Sequence, residues 1–98
     1  MAKQIIWTEK ATEDFYQIII WLEIKWSLKV ADDFSRIAER KIELLSHFPE
    51  IGPRSEKNPR RRKFTLTKHN ILIYTIEEEN LVLLSIFDTR QDPERNIF

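Results

Sequence analysis

Arginine and lysine crowd one short stretch of this sequence. Across 54–68 stand Arg54, Lys57, Arg60, Arg61, Arg62, Lys63 and Lys68 against a single acid, Glu56, a local charge of 7 − 1 = +6. The whole chain is neutral, with 16 basic and 16 acidic residues, and its first 50 residues hold 7 basic and 9 acidic ones, or −2. A neutral chain with one concentrated basic segment suits a local anionic partner rather than nucleic acid wrapped around the whole molecule. Arg60, Arg61, Lys63 and Lys68 are therefore read as residues that contact a target. An equally good account is an edge strand guarded by charge against aggregation. If 61–66 is a strand, alternation puts Arg62 on one face with Phe64 and Leu66, and Arg61 and Lys63 on the other, so all these cations cannot serve one site. Arg90 follows an apolar run and stands between Asp88 and Asp92, where an ion pair tying down the tail is the plain reading.

The remaining chemistry-bearing types are sparse. The chain has no cysteine and two histidines, His47 and His69, which argues against disulfides and against a metal site. His69 falls in a turn-rich stretch and His47 at a helix end, where an imidazolium is mildly favoured by the dipole; neither is given a catalytic role. No cofactor is expected. The longest apolar run, 18–22, is too short to span a bilayer, and the N-terminus has no signal-peptide h-region. A cytoplasmic protein without membrane association is the expectation.

These side chains need a scaffold, and 98 residues suggest one domain over 1–98. Residues 3–7 read as a strand, and Thr8 as the N-cap of a helix with Glu9 in its first turn. Phe15, Ile18, Ile19, Leu22 and Trp26 form one apolar face of that helix. Tyr16, Ile20 and Ile24 form a second stripe at i, i+4 and i+8, to be covered either by a wider core or by another protein surface. Ser27 ends the helix and caps a second one, whose core stripe is read as Val30, Ala31, Phe34, Ile37, Ala38, Lys41, Leu45 and Phe48, with Lys41 at its edge. With almost no spacer the two helices should form an antiparallel hairpin. Pro49, Gly52 (the only glycine) and Pro53 end it. Strands at 61–66, 71–76 and 81–87 follow, the last apolar enough for a central strand. The order is β-α-α-β-β-β: an α+β fold with a helical hairpin packed on one face of a mostly antiparallel four-stranded sheet.

Three local signatures fit a known family in order and spacing. They are Phe48-Pro49-Glu50-Ile51-Gly52, then Arg62-Lys63-Phe64, then Ile71-Leu72-Ile73-Tyr74-Thr75-Ile76 with its acidic turn and the run Leu83-Leu84-Ser85-Ile86-Phe87-Asp88-Thr89-Arg90-Gln91-Asp92-Pro93. Over about residues 3–95 the chain resembles the RelE/ParE toxins of type II toxin–antitoxin systems. The resemblance implies growth inhibition, neutralised by a cognate antitoxin that wraps the toxin, in a homodimer or a toxin–antitoxin hetero-oligomer. It makes Tyr16, Ile20 and Ile24 an antitoxin-binding stripe. RelE-like members cut mRNA on the ribosome, a reaction that needs charge neutralisation and acid–base groups; Arg62 and Arg90 are then the catalytic candidates. ParE-like members poison DNA gyrase. After Arg90 no Tyr or His supplies a terminal acid–base group, so the ParE-like branch is favoured; a third reading is a domain that keeps the fold and binds a partner without toxicity.

Overall fold

The computed structural model describes residues 2–90. Its elements run β1 (Gln4–Trp7), α1 (Glu9–Lys25), α2 (Leu28–His47), β2 (Arg61–Thr67), β3 (Asn70–Glu77) and β4 (Asn80–Asp88). The sheet order is β1-β4-β3-β2. β4 pairs parallel with β1 and antiparallel with β3, and β2 closes the far side antiparallel to β3. The expected α+β layout is therefore present, with β4 as an inner strand.

Local chemistry sets the boundaries. The Thr8 hydroxyl accepts the Ala11 N–H at 3.2 Å, an N-cap that starts α1. The Ser27 hydroxyl accepts the Val30 N–H at 3.1 Å and starts α2 two residues after α1 ends. The β3–β4 turn puts Glu78 in the left-handed region at φ 55°, and the Lys3 ammonium donates to its carbonyl at 2.6 Å.

The core lies between the helical hairpin and one face of the sheet. α1 contributes Ala11, Phe15, Ile18 and Leu22; α2 contributes Ala31, Phe34, Ala38, Ile42 and Leu45; the sheet contributes Leu66, Leu72, Tyr74, Leu81, Leu83 and Ile86. The core stripes read from sequence need correction at four positions. Trp26, Val30, Ile37 and Phe48 are exposed, and Ile42 is buried in their place. At 100° per residue, Val30 and Ile37 lie roughly 100° around α2 from the face that is buried. Ala31 and Ala38 turn inward instead, because small side chains let α1 approach closely.

A bulge in β4 re-aims the second half of that strand. Tyr74 pairs with Leu83 and Ile73 with Ser85, so Leu84 has no partner across β3. The inward face thus runs Leu83 and then Ile86. β1 ends opposite Leu83, which leaves the next part of that β4 edge without a strand. α1 covers it: the Thr8 hydroxyl donates to Leu83 O at 2.6 Å, and the buried Asp14 carboxylate accepts the Ile86 N–H at 3.1 Å.

Candidate functional site

All three local signatures meet at the loop after α2. Tyr74 is fully buried; its hydroxyl donates to Pro49 O at 2.7 Å and accepts the Gly52 N–H at 3.1 Å. Arg62, across from Tyr74 in the β2–β3 register, donates from Nη1 to Glu50 O at 3.0 Å and Gly52 O at 2.8 Å. Three carbonyls of the turn are thus satisfied by two side chains of the sheet. A Cβ at Gly52 would run into the Lys63 carbonyl and lie 2.5 Å from the Tyr74 hydroxyl. Glycine is required here for close approach. Desolvation raises the Tyr74 pKa, opposed by the Gly52 hydrogen bond and the nearby Arg62 charge, which lower it.

Arg90 forms a second clamp. Its guanidinium donates to both carboxylate oxygens of Asp88, Nε at 3.2 Å and Nη2 at 2.9 Å, and its backbone N–H donates to Oδ1 at 2.7 Å. The Asp88 side chain is wholly buried in this pair. The guanidinium carbon also lies 5.1 Å from the Trp21 ring centroid, on α1. The other candidate partner, Asp92, and the whole 91–98 tail lie outside the described residues.

The structure does not bring Arg62 and Arg90 together. Arg62 pairs with Tyr74, whereas Asp88, the partner of Arg90, pairs with Asn70, four residues away along β3. At about 3.3 Å per residue the two clamps stand roughly 13 Å apart along the sheet, two strands away from each other. Nor does Lys68 join the other cations. It lies in the β2–β3 turn, at the opposite end of β2 from Arg60 and Arg61. Arg61 and Lys63 project from the face away from the helices, with exposed Arg60, Arg54 and Lys57 close by in sequence. Among the described residues no three His, Cys, Asp or Glu side chains converge as metal ligands, and no helix is long and apolar enough to cross a membrane.

The α1 stripe is on the surface. Tyr16, Ile20 and Ile24 are 59%, 53% and 75% exposed, and exposed Trp26 and Leu28 continue the apolar surface into the helix–helix corner. Tyr16 also borders a groove of about 440 Å³ between β1, α1 and α2. Ile5, Trp7, Phe15 and Ile42 form its apolar lining, and Glu39 and Glu43 of α2 stand beside them. Sequence reading missed this groove and the buried Asp14. An i, i+4 pair of acids on α2 was the available signal for the first; nothing in the sequence marks the bulge that gives Asp14 its role.

Residues 5–93 match the family of ParE toxins of type II toxin–antitoxin systems, parDE. No curated protein matches the chain. Among solved structures, the toxin–antitoxin pair described as the chromosomal ParDE system from P. aeruginosa has a chain that superposes with a TM-score of 0.77 at 17% identity, covering 89% of this chain and 96% of that one. A conserved hypothetical protein from Helicobacter pylori, solved in solution, gives a TM-score of 0.58 at 14% identity, with 90% and 96% covered. A copper-bound mutant toxin from Helicobacter pylori gives 0.52 at 17% identity, with 91% and 97% covered. The α+β sheet with its helical hairpin is the fold these chains share. By the match over 5–93, this chain belongs to the ParE toxin family of type II toxin–antitoxin systems.

Proposed function

We propose that the protein inhibits growth by binding a protein target, DNA gyrase, and that a cognate antitoxin neutralises it. The observation that carries the choice of target over mRNA cleavage is the commitment of both candidate catalytic arginines. Arg62 is spent on the carbonyls of Glu50 and Gly52, Arg90 on the buried Asp88 carboxylate, and the two clamps stand apart on the sheet. A phosphoryl-transfer site needs such cations converging on one reacting centre. The exposed Arg60 and Arg61 can meet an acidic surface of the target instead. The exposed Tyr16, Ile20 and Ile24 stripe is the antitoxin's docking surface in this reading, since three large apolar side chains in a row call for a cover.

Induced expression in cells carrying separate reporters of DNA damage and of translation arrest tests the target. A DNA-damage response, together with inhibited supercoiling by purified gyrase, is the expected result. Rapid translation arrest with cleaved messages and undisturbed supercoiling would establish the nuclease reading instead.

A further inference from the structure

We infer that the outer edge of β1 and the groove beside it form a strand-addition site for an extended protein segment that alternates lysine or arginine with apolar residues. β1 is a sheet edge. The Gln4 and Thr8 N–H groups donate inward, to Glu79 O at 2.8 Å and Leu83 O at 3.2 Å. Parallel pairing therefore turns the amides and carbonyls of Ile5 and Trp7 outward, and no described residue outside the sheet bonds to them. The strand is Gln-Ile-Ile-Trp, with no proline or cation within it to discourage pairing. The opposite edge differs. Along β2, Lys63 N–H donates to Pro53 O at 3.2 Å, Ser55 N–H donates to Arg61 O at 2.9 Å, and Arg54 bridges to Arg62. One edge is covered by the chain itself; the other presents two open rungs, bounded by the Lys3 N–H bond to Ser46 O and by the start of α1.

Charge complementarity selects the occupant. Side chains of an added strand would alternate between the helix side and the far side of the sheet. On the helix side they enter the groove over Phe15 and Ile42 and meet Glu39 and Glu43. A lysine or arginine fits there, its stem on the apolar lining and its cation at the carboxylates. On the far side they lie beside Ile6, which is 36% exposed and suits an apolar neighbour. A second copy of this chain is a poor occupant, because pairing β1 with β1 brings two acidic rims together and supplies no cation from Gln4–Trp7.

The test uses the whole chain and two short peptides, one alternating lysine and valine, the other glutamate and valine. Amide hydrogen exchange by NMR is followed during titration. The lysine peptide should slow exchange at Ile5 and Trp7 and the glutamate peptide should not. Replacing both surface acids, Glu39→Lys with Glu43→Lys, should weaken the lysine peptide by about tenfold or more and reverse the preference. A lysine peptide that binds more weakly than about 1 mM, that protects other amides and leaves Ile5 and Trp7 unchanged, or that binds the double variant equally well would overturn the inference. So would concentration-dependent protection of these two amides without peptide, which would mark self-pairing. Growth inhibition enters none of these readouts, so a failed toxicity assay and a failed peptide titration are separate results.

Discussion

At the scale of single residues, Arg62 shows what a sequence can and cannot display. Its side of β2 was legible from alternation with Phe64 and Leu66, and it does face the helices with them. Its role was not, because the acceptors are backbone carbonyls of Glu50 and Gly52, about ten residues upstream, and backbone atoms leave no trace in residue types. Arg62→Ala should therefore destabilise the fold by about 1–3 kcal/mol, with Arg62→Lys recovering only part because the planar fork is lost. Urea denaturation measures both. A drop in toxicity at unchanged stability would instead return Arg62 to a target-contact role. Gly52→Ala should be worse tolerated than an ordinary surface change, since its Cβ has no space beside Lys63 and Tyr74. Tyr74 adds a pH dependence. Its folded-state pKa is raised above the ordinary 10.0, so its contribution to stability is intact below pH 10 and is lost as pH climbs from there through the folded-state value. Melting temperatures taken across that range should fall for the wild type, and the fall should be shallower in Tyr74→Phe. Arg90→Ala should lower the melting temperature as well, leaving a buried Asp88 carboxylate without its bidentate partner, at a cost of about 1–3 kcal/mol.

At the scale of elements, the order, caps and approximate limits of all six were readable, because capping and periodicity are local. Thr8 and Ser27 start the helices where their side chains accept free N–H groups. The rotation of α2 was harder to read. Its sequence carries two overlapping apolar patterns, Val30 and Ile37 on one flank and Ala31, Phe34, Ala38, Ile42 and Leu45 on another. Hydrophobicity alone favours valine and isoleucine over alanine. The structure favours alanine because the distance between helices, a tertiary quantity, decides what fits. Asp14 makes the same point for polar residues. On α1 it reads as a solvated acid, yet it is buried and takes the Ile86 N–H where β4 passes the end of β1. Asp14→Ala should leave that N–H without a partner and destabilise by about 1–3 kcal/mol. Asp14→Asn, which retains an acceptor, should cost less. Faster hydrogen exchange at the Ile86 amide in the alanine variant is the specific sign. Equal loss in both variants would place the effect in the 3.0 Å ion pair with Lys10 instead.

At the scale of the whole molecule, the two faces of the sheet divide the work. Helices and core occupy one side, the cations Arg61 and Lys63 project from the other, and the outer surface of α1 carries apolar residues that no other described residue covers. The sequence separated the two stripes of α1 correctly in part: Phe15, Ile18 and Leu22 are buried, while Tyr16, Ile20 and Ile24 are more than half exposed. What it left open was whether the second stripe meets a wider core, and the exposure shows that among the described residues it does not. Burying one such side chain against a partner is worth about 1.5–3 kcal/mol, so three together can anchor an amphipathic antitoxin segment. Ile20→Glu should therefore disrupt antitoxin binding while the purified toxin stays folded, since Ile20 is 53% exposed and no core residue depends on it. Leu22→Glu is the control. That side chain is 4% exposed within the core, so the charge should abolish folding, and with it any toxicity. In cells expressing both proteins, Ile20→Glu should raise toxicity, because inhibition is lost before activity. Retention in a pull-down with the antitoxin and a melting curve of the free variant decide the matter. Wild-type retention would move the docking surface off this stripe, and a collapsed melting curve would make Ile20 a core residue despite its exposure.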